Sequence, residues 1–242
     1  MESWPECPEE DFRKETYFCH ILDAQRVGWE EEICEICRRF LPACQKEKRL
    51  EEAFSFAREA HRGQMRKGTK IPYLIHLIRT WHYTVIMEGD LEEQQAALLH
   101  DVLEDTQVKA QALYERFGKK VLHLVVGESE YKREDKSAQE TWKLRKLETI
   151  ERMRCRLGKE QEHPAMRIAF ADKLANLYSM WFEYRLTGER MWDKFNQKKK
   201  SMHGWYYGEM GKIFAQYFDG CAEMPLLEEY RKYYQEVFHH EI

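Results

Sequence analysis

The strongest constraint on the fold is a periodicity: from Glu47 onward, apolar residues return at intervals of three and four. In "RLEEAFSFAREAHRG", Leu50, Phe54, Ala57 and His61 fall near one stripe before Gly63 ends the segment, the spacing of an amphipathic helix. After the loop "GQMRKGTK", Pro72 suits the first turn of a helix carrying Tyr73 to about Met87, because its missing N–H would be unsatisfied there anyway. "AALLHDVLEDT" (96–106) reads as the next helix, and "VKAQALYERFG" as one ending at Gly118. "KKVLHLVVGESE" reads equally as helix or strand, and "TWKLRKLETIERMR" is strongly helical. Pro164 opens "PAMRIAFADKLANLYSMWFEY", a further run follows Gly188, and a last helix starts near Met224. No strand alternation and no repeat stand out. With 43% hydrophobic residues, 12 Gly and 6 Pro, the composition favours packed helices over a turn-rich β architecture. The expected class is all-α.

Residues 1–46 read as a separate N-terminal helical extension: an acidic leader, then "WEEEICEICRRFLPAC", in which Ile33, Ile36, Phe40 and Leu41 keep a helical period. Cys34 and Cys37 form a C-x2-C with Cys44 nearby, but a structural zinc site needs four ligands and no second pair follows. Buried helix cysteines are the alternative. The seven cysteines, odd in number and scattered, do not resemble a disulfide framework. The first residues lack the basic flank and apolar run of a signal peptide, and no stretch reaches the roughly 18 apolar residues of a membrane span. The expectation is a cytoplasmic protein without membrane contact. A net charge of −4 excludes a general basic field for nucleic acid, so an anionic ligand must meet a local cationic cluster.

Three places carry unusual chemistry. In "AALLHDVLEDT" the residues Ala96, Ala97, His100, Asp101, Glu104 and Asp105 share one helical stripe, with no Lys or Arg between Leu91 and Gln107 to neutralise it. Asp172, in "FADKLAN", has Ile168, Ala169, Ala175 and Asn176 at helical spacing, and burying an ionised carboxylate there costs several kcal/mol unless a cation or donors meet it. An ion pair with a neighbouring helix is the bland alternative. His76 lies in the apolar "IPYLIHLI", beside Tyr73, Arg79 and Thr80. Together His76, His100, Asp101 and Asp172 make two imidazoles and two carboxylates from three helices, a set that helical bundles project inward to hold a metal. Manganese, iron and zinc all suit such mixed nitrogen and oxygen ligands. Glu104 and Asp105, one turn beyond, are placed to divide the tasks of base and acid.

The order "YLIH", "LLHDVLEDT", "ADKLAN" resembles that of the HD-domain metal phosphohydrolases. The fuller set, "AFSFAREAHRGQMRKGTKIPYLIH", "AALLHDVLEDT", "LYERFGKKV" and "FADKLANL", is similar to the hydrolase domain of the RelA/SpoT alarmone enzymes, over roughly Arg49 to Phe182. The resemblance implies an HD-domain helical bundle over residues 47–242, including C-terminal helices, and small stand-alone alarmone hydrolases are its nearest type. It implies manganese-dependent removal of the 3′-pyrophosphate from ppGpp-type nucleotides, with His76, His100, Asp101 and Asp172 as ligands and Glu104 and Asp105 as the catalytic acid pair. It also places Arg66, Lys67 and Asn176 at the nucleotide. Arg145 and Lys146 are further candidates for contact with substrate. Lys198, Lys199 and Lys200 read as a solvated face, and Trp205, Tyr206 and Tyr207 as core.

Leu77 stands where the family commonly has proline, and Ala169, Lys173 and Ala175 where Lys, Arg and His or Tyr are frequent. "VVGESEYKRED" lacks the usual Val-Thr text. These departures spare the ligands but leave guanine and adenine alarmones open. The alternatives are the same machinery on a nucleoside monophosphate or NADPH, and a non-catalytic alarmone sensor, against which the intact acid pair argues. A homo-oligomer also stays open.

Overall fold

The computed structural model describes residues 48–130, 133, 136–221 and 224–239, Met224 by its backbone alone. The N-terminal extension of residues 1–46, with Cys34, Cys37 and Cys44, lies outside the described residues. Helices follow one another as expected: α1 Lys48–Ala60, α2 Leu74–Ile86, α3 Leu91–Leu99, α4 Val102–Asp105, α5 Ala110–Glu128, α6 Ala138–Arg154, α7 His163–Thr187, α8 Lys200–Tyr217 and α9 Met224–Phe238. A 3-10 turn, Gly188–Lys194, links α7 to α8. Among the described residues there is no strand, only one antiparallel bridge between Met65 and Pro72. No described helix is long and apolar enough to cross a membrane.

One boundary differs from expectation. The run "AALLHDVLEDT" is not one helix: α3 stops at Leu99 and α4 is a single turn. His100 (φ −58°, ψ −33°) and Asp101 (φ −94°, ψ −4°) stay in the right-handed region, so the hydrogen-bond ladder is interrupted while the chain keeps turning. Gly118 interrupts its helix as expected, so that α5 is two helical segments in succession. It sits inside α5 at φ 83°, ψ 178°, a conformation open to glycine, and "KKVLHLVVGE" continues as helix beyond the kink.

Local signals fix several starts. Asp90 caps α3 by accepting from the Glu93 N–H at 2.9 Å, and Ser137 opens α6 with a capping box to Glu140. Pro164 occupies the first turn of α7.

The interior forms two apolar clusters. One gathers Leu50 and Phe54 of α1, Leu77 and Trp81 of α2, Leu98 and Leu99 of α3, Val121 of α5, and Ala165 and Ile168 from the start of α7. The other gathers the rest of α7 with Trp142, Ile150 and Met153 of α6 and the aromatic faces of α8 and α9. Helix α7 is buried at five consecutive positions, Ile168 to Asp172, the mark of a helix enclosed on all sides. Asp172 therefore lies where the two clusters meet, and α2, which feeds both, brings His76 to the same seam.

Candidate metal centre

The α3–α4 break turns His100 and Asp101 toward His76 on α2. The two Nε2 atoms stand 3.2 Å apart, and the donor atoms of His76, His100 and Asp101 all lie within 4.8 Å of one another. Asp101 Oδ2 is 3.3 Å from His76 Nε2 and 3.1 Å from His100 Nε2. From α7, Asp172 Oδ1 completes the group at 3.1 Å from His76 Nε2 and 3.6 Å from His100 Nε2. All four residues predicted as ligands thus converge.

The donor set fits a divalent ion. His100 Nδ1 lies 2.8 Å from the Ala97 carbonyl oxygen, so that nitrogen carries a hydrogen and Nε2 is the atom left to face the other donors, free to ligate an ion once its own proton is lost. Asp172 is oriented in turn: Asn176 Nδ2 donates to its Oδ1 at 2.6 Å, and Lys173 binds its Oδ2. The surrounding cavity, about 610 Å³ with its open mouth, is lined by six carboxylates against four Lys and Arg side chains, an excess that a dication offsets.

Without an ion, the electrostatics are those of a proton held in its place. Burial alone would push His100 down, but Asp101 and Asp172 outweigh it and hold its pKa well above the usual histidine range. Burial would raise both carboxylates; the imidazoles hold Asp101 well below its ordinary value, and Lys173 with the imidazoles does the same for Asp172.

The acid pair stands at the rim of the donors. Glu104 is pushed up to about 7, first by burial and then by the Asp101, Glu130 and Asp105 charges, while the Glu130 N–H donates to its Oε2 at 3.0 Å. The Tyr73 hydroxyl lies 2.7 Å from Asp101 Oδ2 and 2.9 Å from Asp105 Oδ2, so one phenol ties a donor to the acid pair. Its ring stacks on His61 with centroids 4.9 Å apart.

The cationic residues divide. Arg66 lines the cavity, its Nη2 donating to Asn176 Oδ1 at 2.7 Å. The loop that presents it is closed by Arg66 N–H to Ile71 O at 2.7 Å and Tyr73 N–H to Gln64 O at 2.8 Å. Lys67, expected beside it, is exposed, bonds Asn196 Oδ1 at 2.6 Å and does not line the cavity. Arg145 and Lys146 do line it, each engaged by Glu130. Tyr206 and Tyr207 are core residues as expected and also form part of the wall, whereas none of Lys198, Lys199 and Lys200 reaches it. Sequence reasoning gave no role to Tyr73, Glu130 or Lys173. Tyr73 carries a readable signal, one helical turn before His76; Lys173 stands next to Asp172 in the chain, and Glu130 depends on how the segment beyond α5 meets α6.

A family model described as HD domain matches residues 53–188. The chain belongs to the HD-domain family. This HD-domain chain is 40% identical over 99 residues to the bifunctional (p)ppGpp synthase/hydrolase SpoT of Escherichia coli (strain K12), covering 41% of this chain and 14% of that protein. It is 31% identical over 155 residues to the guanosine-3′,5′-bis(diphosphate) 3′-pyrophosphohydrolase of Aquifex aeolicus (strain VF5), 64% of this chain and 20% of that one. It therefore spans only about a fifth or less of the length of these relatives. Among solved structures, a metazoan ortholog of SpoT that hydrolyzes ppGpp aligns with TM-score 0.59 and 23% identity over 78% of this chain and 96% of its own, a likeness of fold. A protein from Listeria monocytogenes EGD-e aligns with TM-score 0.56 and 27% identity over 70% of this chain and 97% of its own.

Proposed function

We propose that this HD-domain chain removes the 3′-pyrophosphate of (p)ppGpp-type alarmones in a metal-dependent hydrolysis, within a domain spanning residues 47–242 and in the cytoplasm. The observation that carries the reading is the meeting, in one cavity, of the four-donor group, the Glu104–Asp105 pair and Arg66, Arg145 and Lys146. The relatives named as 3′-pyrophosphohydrolases support the choice of substrate.

His76, His100, Asp101 and Asp172 would hold the ion, manganese in preference to iron or zinc. A divalent ion there supplies Lewis acidity that polarises a phosphoryl oxygen and offsets the charge of the reacting group. Asp105, fixed through Tyr73, orients the attacking water and takes its proton as the new oxygen–phosphorus bond forms. Glu104, whose pKa burial and the neighbouring carboxylates raise in the ion-free chain, is the group placed to deliver a proton to the 3′-oxygen as the ester bond breaks. Arg66 offers a fork to phosphate or ribose oxygens, and Asn176 holds that fork while orienting Asp172. The exposed Lys67 is available to a nucleotide that reaches beyond the cavity.

A substrate panel tests the reading. Purified protein with manganese is expected to release pyrophosphate from ppGpp, pppGpp or ppApp, with no orthophosphate from nucleoside monophosphates or NADPH. Orthophosphate release from the latter two, with alarmones left intact, would replace this reading by the phosphatase alternative.

A further inference from the structure

Glu130 meets two cations with one carboxylate. Its Oε2 accepts from Arg145 Nη1 at 2.6 Å and its Oε1 from Lys146 Nζ at 2.7 Å, with Thr149 Oγ1 at 3.3 Å from Oε1. The three charged side chains are at most 19% exposed and line the same cavity as the metal donors. A single carboxylate leaves this cluster one positive charge in excess. A phosphate group, with up to two negative charges and three acceptor oxygens, matches two cations better.

A second, independent feature stands on the same wall. Lys146 Nζ lies 4.8 Å from the centroid of the Tyr206 ring, and the Tyr206 hydroxyl is buried without a hydrogen-bond partner among the described residues. Tyr206 is only 2% exposed, yet lines the cavity. A buried hydroxyl without an acceptor is costly, and an anion beside Lys146 supplies one. Glu130 also donates its backbone N–H to Glu104, so the residue that occupies the cation pair also steadies one of the two acids.

We propose that Arg145, Lys146 and the Tyr206 hydroxyl form a phosphate subsite beside the metal centre, and that Glu130 fills it as an internal competitor which a dianionic phosphate group displaces. Glu130 is then the specificity-determining residue of the cavity. Ligands ending in a phosphate monoester or pyrophosphate exchange with it, and carboxylates or singly charged phosphodiesters do not. The proposal rests on the hydrolase reading only in assigning this subsite to the substrate's own terminal phosphate.

The test is calorimetric titration of the manganese-saturated full chain with inorganic pyrophosphate. Glu130→Gln is expected to bind it about tenfold or more tighter than wild type, because a like charge has been removed from the subsite. Adding Arg145→Gln to that variant removes the gain. Tyr206→Phe weakens binding while leaving the thermal midpoint unchanged or raised, which loss of a structural hydrogen bond does not do. Unchanged or weaker pyrophosphate binding by folded Glu130→Gln overturns the subsite. If that variant does not fold, unchanged affinity in Lys146→Gln overturns it equally, and weakened affinity supports it. Turnover of ppGpp is followed in the same preparations. An inert wild type that keeps the expected pyrophosphate pattern removes the hydrolase reading and leaves the subsite standing, whereas an active wild type without the pattern removes the subsite alone.

Discussion

At the scale of single residues, the centre is a set of proton holders that an ion must displace. Asp101 and Asp172 keep His100 protonated well above its usual range in the ion-free chain, while a metal ligand must be the neutral imidazole. Metal binding at pH 7 is therefore expected to release about one proton from this imidazole, with apparent affinity rising as pH rises. Isothermal calorimetry in two buffers of different ionisation enthalpy reads the number directly, and binding without proton release would contradict the electrostatic picture. The four donors were legible in the sequence because each was out of place: an acid among alanines, a histidine in an apolar run, a stripe of carboxylates without a basic partner. Glu130 and Lys173 were not legible. Glu130 is answered by Arg145 and Lys146 of α6, a pairing decided by how the chain beyond α5 meets that helix, while Lys173 pairs with Asp172 beside it, a contact that helical stripes three and four residues apart do not show.

At the scale of elements, helix runs and the interruption at Gly118 were readable, and the break between α3 and α4 was not. Gly118 was expected to end a helix, as glycine with positive φ commonly does, and it breaks α5 with non-helical angles, a second helical segment running on to Glu128. A Cβ at Gly118 would meet nothing within 4 Å, so any cost of substitution there is conformational and not steric. Gly118→Ala is expected to destabilise by about 1–3 kcal/mol, the range for a non-glycine residue forced into that region, read as a lower urea midpoint with an unchanged slope. No loss would mean that the kink relaxes to ordinary helix. The α3–α4 break was hidden because its residues keep near-helical angles, so the periodic stripe survives while the ladder does not. That break puts His100 and Asp101 side by side at the donor group instead of on a continuous helical surface.

At the scale of the whole molecule, one enclosed helix, α7, joins two apolar clusters and sets Asp172 at their junction. Neither the division of the core nor its seam could be read from local periodicity, which tells which face is apolar but not what it packs on. The second cluster has its own acid sensitivity. His203 packs among Trp142, Trp192 and Phe195, its Nε2–H donates to the Gln197 carbonyl at 2.7 Å, and burial, aided by Lys146, lowers its pKa to about 4. The unfolded chain takes up that proton near 6.5, so the stabilisation is full above pH 6.5 and falls away as pH drops toward 4, by about 3 kcal/mol at most. Urea midpoints at pH 7 and 4.5 are expected to differ less in His203→Phe than in wild type; equal losses would contradict the assignment. The central claim concerns the junction itself: a metal-dependent centre that hydrolyses alarmones. It is tested most directly by pyrophosphate release from ppGpp, with and without manganese, in wild type, His100→Ala and Asp101→Ala. The account predicts release by wild type only with the ion and a loss of at least about a hundredfold in both variants, whereas wild type that binds manganese and is as inert as the variants would contradict it.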